Sequence, residues 1–512
     1  MPKPRKYTRR DFVFDSAMVG GGVAVGGFLW GHRVPRVTFC GAAQQVSGSC
    51  YLLDTHYGEF LVDCGLFFSE GAGEKDHNLD FPYFNPANIK AVFITHAHAD
   101  HIGKLSLLYA KGFRGSIFST DCTRDLAAAM LSISGVEDAT EFGARKTESS
   151  LSSSLLNSFV PVSYGQTREH GGLSFRFSEA GHILGSAMVE IWVSGRKFLF
   201  SGDMGPDYSP LTRLPQKHVQ ADFVLVESTY GAVARQKVDF KDLGKRISEV
   251  IARGGDVLLP AFVLHKTQSL IYVIHQLKKE GVIPADVPVI CDSTSAQKIN
   301  HVYNTYASYY RQNVYFNSST FYEAGLQELS TPRSFDFKKE HRGPVIYISA
   351  SGMLDHANSP KHFTDMAGDP RNAVFLVGWQ SPGSVGGRLL RMTGGDRSVI
   401  IRGTEPNTKT INEKRVKVAL EVIKWGPGFS SHAPGQQILE WISDFKRVGT
   451  VCVVHGEKQN TLNMAEKLNE MGVHALAPAM GQTIKAYPGG TTPEKPPPLG
   501  TDPKPSLAIT DV

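Results

Sequence analysis

Short apolar runs rich in β-branched residues punctuate the chain and read as buried strands. In the first hundred residues they fall at 37–39, 49–53, 60–63 and 91–95, and helical spacing follows at 105–111 and 122–131. Runs at 173–177, 188–193 and 197–200 are close-set and predict antiparallel pairing. From 222 to 430 the pattern changes. Strand-like runs at 223–226, 256–259, 287–291, 345–348 and 373–377 alternate with helical stretches near 240–252 and 266–280. Such alternation predicts a parallel sheet covered by helices. A helix over 435–445 and a strand over 450–454 follow. The whole reads as an α/β protein. Serine and glutamate dominate residues 137–157, which predict a helical excursion or a loop, and the proline-rich stretch 489–512 predicts a disordered tail.

A chain of 512 residues exceeds what one core usually organises, so two domains plus tails are expected. Its 41% hydrophobic and 20% charged residues are those of a globular protein. The six cysteines (Cys40, Cys50, Cys64, Cys122, Cys291 and Cys452) contain no CxxC pair and read as core residues. The formal charge is +5, but Lys3, Arg5, Lys6, Arg9 and Arg10 alone carry that excess. A protein that coats DNA by general positive charge is therefore disfavoured, and nucleic-acid contacts must come from local patches.

The same basic leader, residues 1–35, changes the picture of location. Arg9-Arg10, then Phe12, then a weakly apolar glycine-rich run over 16–30 resemble a twin-arginine export signal. The expectation is an exported protein, periplasmic or membrane-associated, whose leader engages export machinery or the membrane. The apolar run is short for a membrane span, and no Ala-x-Ala site follows it. The competing expectation is a cytoplasmic protein with a basic leader.

Candidate chemistry concentrates in Thr95-His96-Ala97-His98-Ala99-Asp100-His101, the loop predicted after the strand at 91–95. Imidazole and carboxylate ligands suit Zn²⁺ or a similar divalent ion, and their crowding here suggests two. Single residues of the same kinds recur beside other predicted strands: Asp63, His182 between glycines, Asp203 after 197–200, and His455 after 450–454. Together with residues 96–101 they make a dinuclear set with little left over.

Asp63, HxHxDH at 96–101, His182 and Asp203, in that order, resemble the ligand motifs of the metallo-β-lactamase fold. The long insert is similar to that of the β-CASP group of nucleases. Glu227 in Val-Glu-Ser-Thr-Tyr-Gly, His432 in Ser-Ser-His-Ala and His455 in Val-His-Gly-Glu match that group's motifs, and residues 349–354 are similar to a loop of its cleavage-and-polyadenylation-factor-like members. The resemblance implies an αββα sandwich with an inserted β-CASP domain: sandwich residues 36–220 and 429–488, insert 221–428. It implies that His96, His98 and His182 hold one Zn²⁺ and that Asp100, His101 and His455 hold another, with Mn²⁺ as a substitute. Asp203 would bridge them and Asp63 would orient a ligand or the water. Two such cations can share a hydroxide and clamp a phosphate, while His432, paired to Glu227, protonates the leaving oxygen. Ser349, Ser351, Gly352 and Lys266 are the implied substrate contacts. The expected partners are single-stranded RNA or another nucleic acid, and a second copy of the chain. Hydrolysis of small esters, thioesters or lactams is the alternative activity. Two departures stand out: Pro434 replaces the usual aspartate after Ala433, and His265-Lys266 stand where Gly-Arg is common. An arginine fork grips phosphate better than a lysine.

Overall fold

The computed structural model describes residues 34–68, 77–133, 149–234, 238–314, 326–329, 331–392, 397–404, 411–425 and 429–486. The basic leader up to residue 33, the proline-rich tail and residues 137–148 of the serine-rich excursion lie outside these; the excursion's described end is the helix Ser149–Leu156.

Two seven-stranded sheets form the centre of the sandwich. The first runs Thr483–Lys485, Arg36–Phe39, Tyr51–Thr55, Gly58–Val62, Ile89–Phe93, Ser116–Ser119, Phe159–Pro161. The second runs Ala475–Leu476, Arg447–Val454, Gln220–Glu227, Arg196–Phe200, Ala187–Val193, Leu173–Glu179, Arg168–His170. Successive strand side chains point to opposite faces, and the central strands are apolar on both. Ala91 and Phe93 face the second sheet, in one core with Phe175, Phe198 and Phe223. Val92 and Ile94 face outward, in the core that includes Leu105 and Leu126. Likewise Cys452 and Val454 turn inward, while Val451 and Val453 pack under Ile438, Trp441, Met464 and Leu468 of two covering helices. The result is the helix–sheet–sheet–helix layering expected from the resemblance.

The third sheet is six-stranded and parallel throughout. Its order is Leu326–Glu328, Val289–Cys291, Ile346–Ser349, Val257–Pro260, Ala373–Leu376, Glu421–Lys424. Helices such as Lys266–Lys279 and Ser359–Met366 cover it. The run at 223–226, grouped by pattern with this insert, belongs instead to the second sandwich sheet, in Gln220–Glu227. An all-apolar run carries no mark of which sheet it joins. A hairpin of Ser398–Thr404 with Ile411–Lys417 was not anticipated.

One pairing explains how distant residues meet. The insert leaves the sandwich after Gln220–Glu227, and the chain returns through Arg447–Val454 as the neighbouring parallel strand, Glu227 opposite Val454. Glu227 and His455 are thereby delivered to the same sheet edge.

Candidate metal centre

Most of the candidate residues stand at or just beyond a strand end. Asp63 follows Gly58–Val62, His96 and His98 follow Ile89–Phe93, Asp203 follows Arg196–Phe200, His455 follows Arg447–Val454, and His182 lies in the connection between Leu173–Glu179 and Ala187–Val193. Asp100 and His101 sit in a single helical turn, Ala99–Ile102, rather than in open loop. Asp63 and His455 adopt φ of 59° and 49°, a left-handed backbone that costs side-chain-bearing residues energy and clusters at functional sites. Hydrogen bonds pin these turns: Asp63 N to Phe93 O at 2.9 Å, Cys64 N to His101 O at 2.8 Å, and His455 N to Ala42 O at 2.7 Å.

The ligand atoms fall into two groups. In the first, His98 Nδ1 is 3.1 Å from His96 Nε2 and 3.0 Å from His182 Nε2, and both of those nitrogens are 3.5 Å from Asp203 Oδ2. In the second, His101 Nε2 and His455 Nε2 are 3.3 Å apart. They lie 3.3 and 3.5 Å from the other Asp203 oxygen, Oδ1, and Asp100 Oδ2 is 3.4 Å from His455 Nε2. Nitrogens bound to one tetrahedral zinc at 2.0–2.1 Å stand about 3.3 Å apart, so both groups have the spacing of a ligand shell. Asp203 Oδ1 is buried and accepts no hydrogen bond, an orphaned acceptor that a cation would satisfy. The donor set and this oxygen fit divalent metal.

Hydrogen bonds behind the shell fix which nitrogen each ring presents. His182 Nδ1 donates to the Ser431 carbonyl at 2.8 Å, and His101 Nδ1 donates to Asp63 Oδ2 at 2.7 Å. Asp63 also accepts from Thr95 N and Thr95 Oγ1, each at 2.8 Å. Two rings reach a carboxylate through a threonine. His96 Nδ1 is 3.1 Å from Thr95 Oγ1, which bonds Asp63; His455 Nδ1 is 3.1 Å from Thr229 Oγ1, which donates to Glu227 Oε2 at 2.6 Å. The sequence assigns no role to Thr95 or Thr229, although both stand inside the quoted motifs. Glu227 does double service, because His432 Nδ1 lies 3.1 Å from Oε2 and 3.2 Å from Oε1. Met204 N also donates to Glu227 Oε1, at 2.6 Å, and Thr229 N to Oε2, at 3.4 Å. Pro434, the departure after His432, precedes the helix Gly435–Ser443 and leaves the imidazole on Glu227.

Electrostatics follow from burial and mutual contact. Burial, then neighbouring imidazoles, hold His96 and His182 well below the ordinary histidine range, and burial brings His98 to about 4. Neutral imidazole is the ligating form. Burial would lower His101 too, but Asp203 and Asp63 raise it; burial would raise Asp203, but the His455 and His101 rings hold it low. His432, which burial alone would lower, is lifted by Glu227 and then Asp203 to about 10. His96 and His182 keep none of their side-chain surface, whereas His432 keeps 19% and Asp100 17%. Solvent and substrate therefore approach on the His432 and Asp100 side.

The expected substrate contacts lie in the insert and are committed internally. Ser349 Oγ donates to Asp292 Oδ1 at 2.8 Å, and Ser351 Oγ accepts from Asp355 N and His356 N. Both serines are buried, because residues past Ile346–Ser349 fold back over their own backbone. Gly352 lies under the Phe262 ring. The Lys266 ammonium bonds the Phe429 carbonyl and sits 4.2 Å from that residue's ring centroid. His265, standing where glycine is common, adopts φ 69°, a conformation that favours glycine, and its ring is buried against Tyr303. All six cysteines are free and buried. Among the described residues no helix is long and apolar enough to cross a membrane.

Comparison with known proteins places this geometry in context. Residues 43–113 match the metallo-beta-lactamase superfamily, 267–389 the Beta-Casp domain, and 415–478 the Zn-dependent metallo-hydrolase RNA specificity domain. The chain is 29% identical over 456 residues to Ribonuclease TTHA0252 of Thermus thermophilus, covering 88% of this chain and 99% of that one. It is 27% identical over 448 residues to the Transcription termination factor FttA of Methanosarcina mazei, covering 85% of this chain and 68% of that one. A solved structure of a protein of unknown function from Enterococcus faecalis V583 shares the fold, with TM-score 0.53 and 10% identity over 88% of this chain and all (100%) of that one.

Proposed function

The chain belongs to the β-CASP group of the metallo-β-lactamase superfamily and is a metal-dependent hydrolase, and from that premise we propose that it is a dinuclear ribonuclease cleaving single-stranded RNA. The observation that carries the dinuclear reading is Asp203, whose two carboxylate oxygens each face a separate cluster of imidazoles. The relative named a ribonuclease and the RNA specificity domain match over 415–478 support RNA as the substrate.

His96, His98 and His182 would hold one Zn²⁺, and Asp100, His101 and His455 the other; Asp203 offers one oxygen to each group, and Mn²⁺ could substitute. When bound, such a pair supplies an activated water and neutralises charge on the phosphate. The protein does the rest. Asp63 and Thr95 keep His101 and His96 presenting Nε2; Thr229 does the same for His455. Glu227 fixes His432, whose imidazolium donates a proton to the departing ribose oxygen. Its residual exposure puts that proton where a strand can reach it.

The test is metal analysis paired with cleavage of a labelled single-stranded RNA. About two equivalents per chain and loss of cleavage on chelation are expected. Turnover of esters with inert RNA would contradict the reading. A second copy of the chain is a proposed partner that sizing in solution would test. Location rests on Arg9-Arg10, Phe12 and the glycine-rich run over 16–30: we propose twin-arginine export, which fractionation of cells carrying Arg9-Arg10→Lys-Lys would overturn if the distribution did not change.

A further inference from the structure

The parallel sheet of the insert has a place where its chain connections diverge. Val257–Pro260 and Ala373–Leu376 are adjacent, Val257 beside Ala373 and Leu258 beside Val374. From the first, the chain crosses through Lys266–Lys279 to Val289–Cys291, beyond Ile346–Ser349; from the second it turns the other way, to Glu421–Lys424. In open parallel sheets a crevice opens outside the carboxyl ends of two such strands, and ligands bind there.

The residues at those two ends are not what burial would select. Phe262, two residues past the first strand, is 44% exposed, and Trp379, three past the second, is 61% exposed. Single exposed apolar residues are ordinary, but these two share one edge and a glycine floor. A Cβ on Gly352 would lie 3.3 Å from the Phe262 ring, and one on Gly378, the neighbour of Trp379, 4.0 Å from it. Gln380 Nε2 ties the loops together by donating to Gly352 O at 3.0 Å. The loop that carries Trp379 also holds two cations: Arg388 and Arg391 are exposed and donate to the carbonyls of Gly383 and Pro382 on it.

A chain of contacts leads from this edge to the metal centre. Thr267 N bonds Phe262 O, and the preceding Lys266 lines a cavity with His265, Ser430 and Ser431. Ser431 holds His182. We infer that Phe262 and Trp379 form a stacking platform for nucleobases of the single-stranded RNA whose backbone continues to the metal centre. This rests on the ribonuclease reading and adds a base-contacting subsite to it. Aromatic faces stack any base, so the platform grips a strand without reading its sequence.

The test uses the full-length metal-loaded protein, a single-stranded RNA, and the same strand with abasic positions. RNA should quench the emission of the exposed Trp379, and abasic RNA should quench it less. Trp379→Ala should abolish that quench and raise KM about 5- to 150-fold, the range for one lost base stack. Phe262→Ala should raise KM in the same direction, and Trp379→Phe should recover most of the loss. Alanine variants with wild-type KM, in a protein that does cleave RNA, would overturn the platform and leave the ribonuclease standing. Wild-type protein that neither binds nor cleaves RNA would instead remove the ribonuclease reading, and the platform with it.

Discussion

Asp63 with His101 and Asp292 with His362 are nearly the same pair built twice. In each, a buried carboxylate lies 2.7 Å from an imidazole nitrogen. In each it also accepts a hydroxyl at 2.8 Å, from Thr95 in one and Ser349 in the other. What differs is the rest of the ring. His101 turns Nε2 towards Asp203 Oδ1 and His455. The His362 ring packs between Phe335 and Tyr347, centroids 4.8 and 4.5 Å away. Among the described residues it joins no metal-capable group. One pair orients a candidate ligand; the other is a polar knot that fixes the loops beyond two neighbouring strands. An aspartate–histidine contact therefore says nothing about chemistry until the far nitrogen is accounted for.

Substitutions should separate the two regions sharply. His98→Ala removes a nitrogen shared at 3.1 and 3.0 Å by two other ligands, and metal content and turnover should fall together, as elemental analysis and an RNA assay would show. His432→Ala should keep its metal while turnover slows about 10²–10⁴-fold, the usual worth of one acid–base group; metal loss in this variant would assign the ring to the shell instead. Thr229→Val cuts the link from Glu227 to His455 and should cost about 10–100-fold in metal affinity or activity, as outer partners typically do. Titration with a competing chelator reads it. Asp292→Asn should leave turnover per folded molecule unchanged but lower the melting temperature, since each buried donor left unpaired costs about 1–3 kcal/mol. If Asp292→Asn abolished activity without destabilising the chain, the contrast between the pairs would be wrong.

Much of the candidate centre that the structure gathers was legible because its residues are chemically rare and stand beside apolar runs: His182 between glycines, Asp203 after 197–200, His455 after 450–454. The threonines were harder to see, since a hydroxyl beside a motif looks like any strand-end residue. Ser349 and Ser351 show a sharper limit: sequence names the hydroxyl but not whether it turns inward, and here both do. The run at 223–226 could be identified as a strand but not placed, because residues apolar on both faces fit any central position. The hairpin Ser398–Thr404 with Ile411–Lys417 carries a weaker mark, because Glu413, Lys414 and Arg415 interrupt the apolar pattern of its second strand.

The most direct measurement is anomalous diffraction from crystals of the metal-loaded protein. Two peaks about 3.5–4 Å apart are predicted, one against His96, His98 and His182, the other against Asp100, His101 and His455, with Asp203 touching both. A lone peak, or His455 and Asp203 turned away from the density, would contradict the dinuclear account.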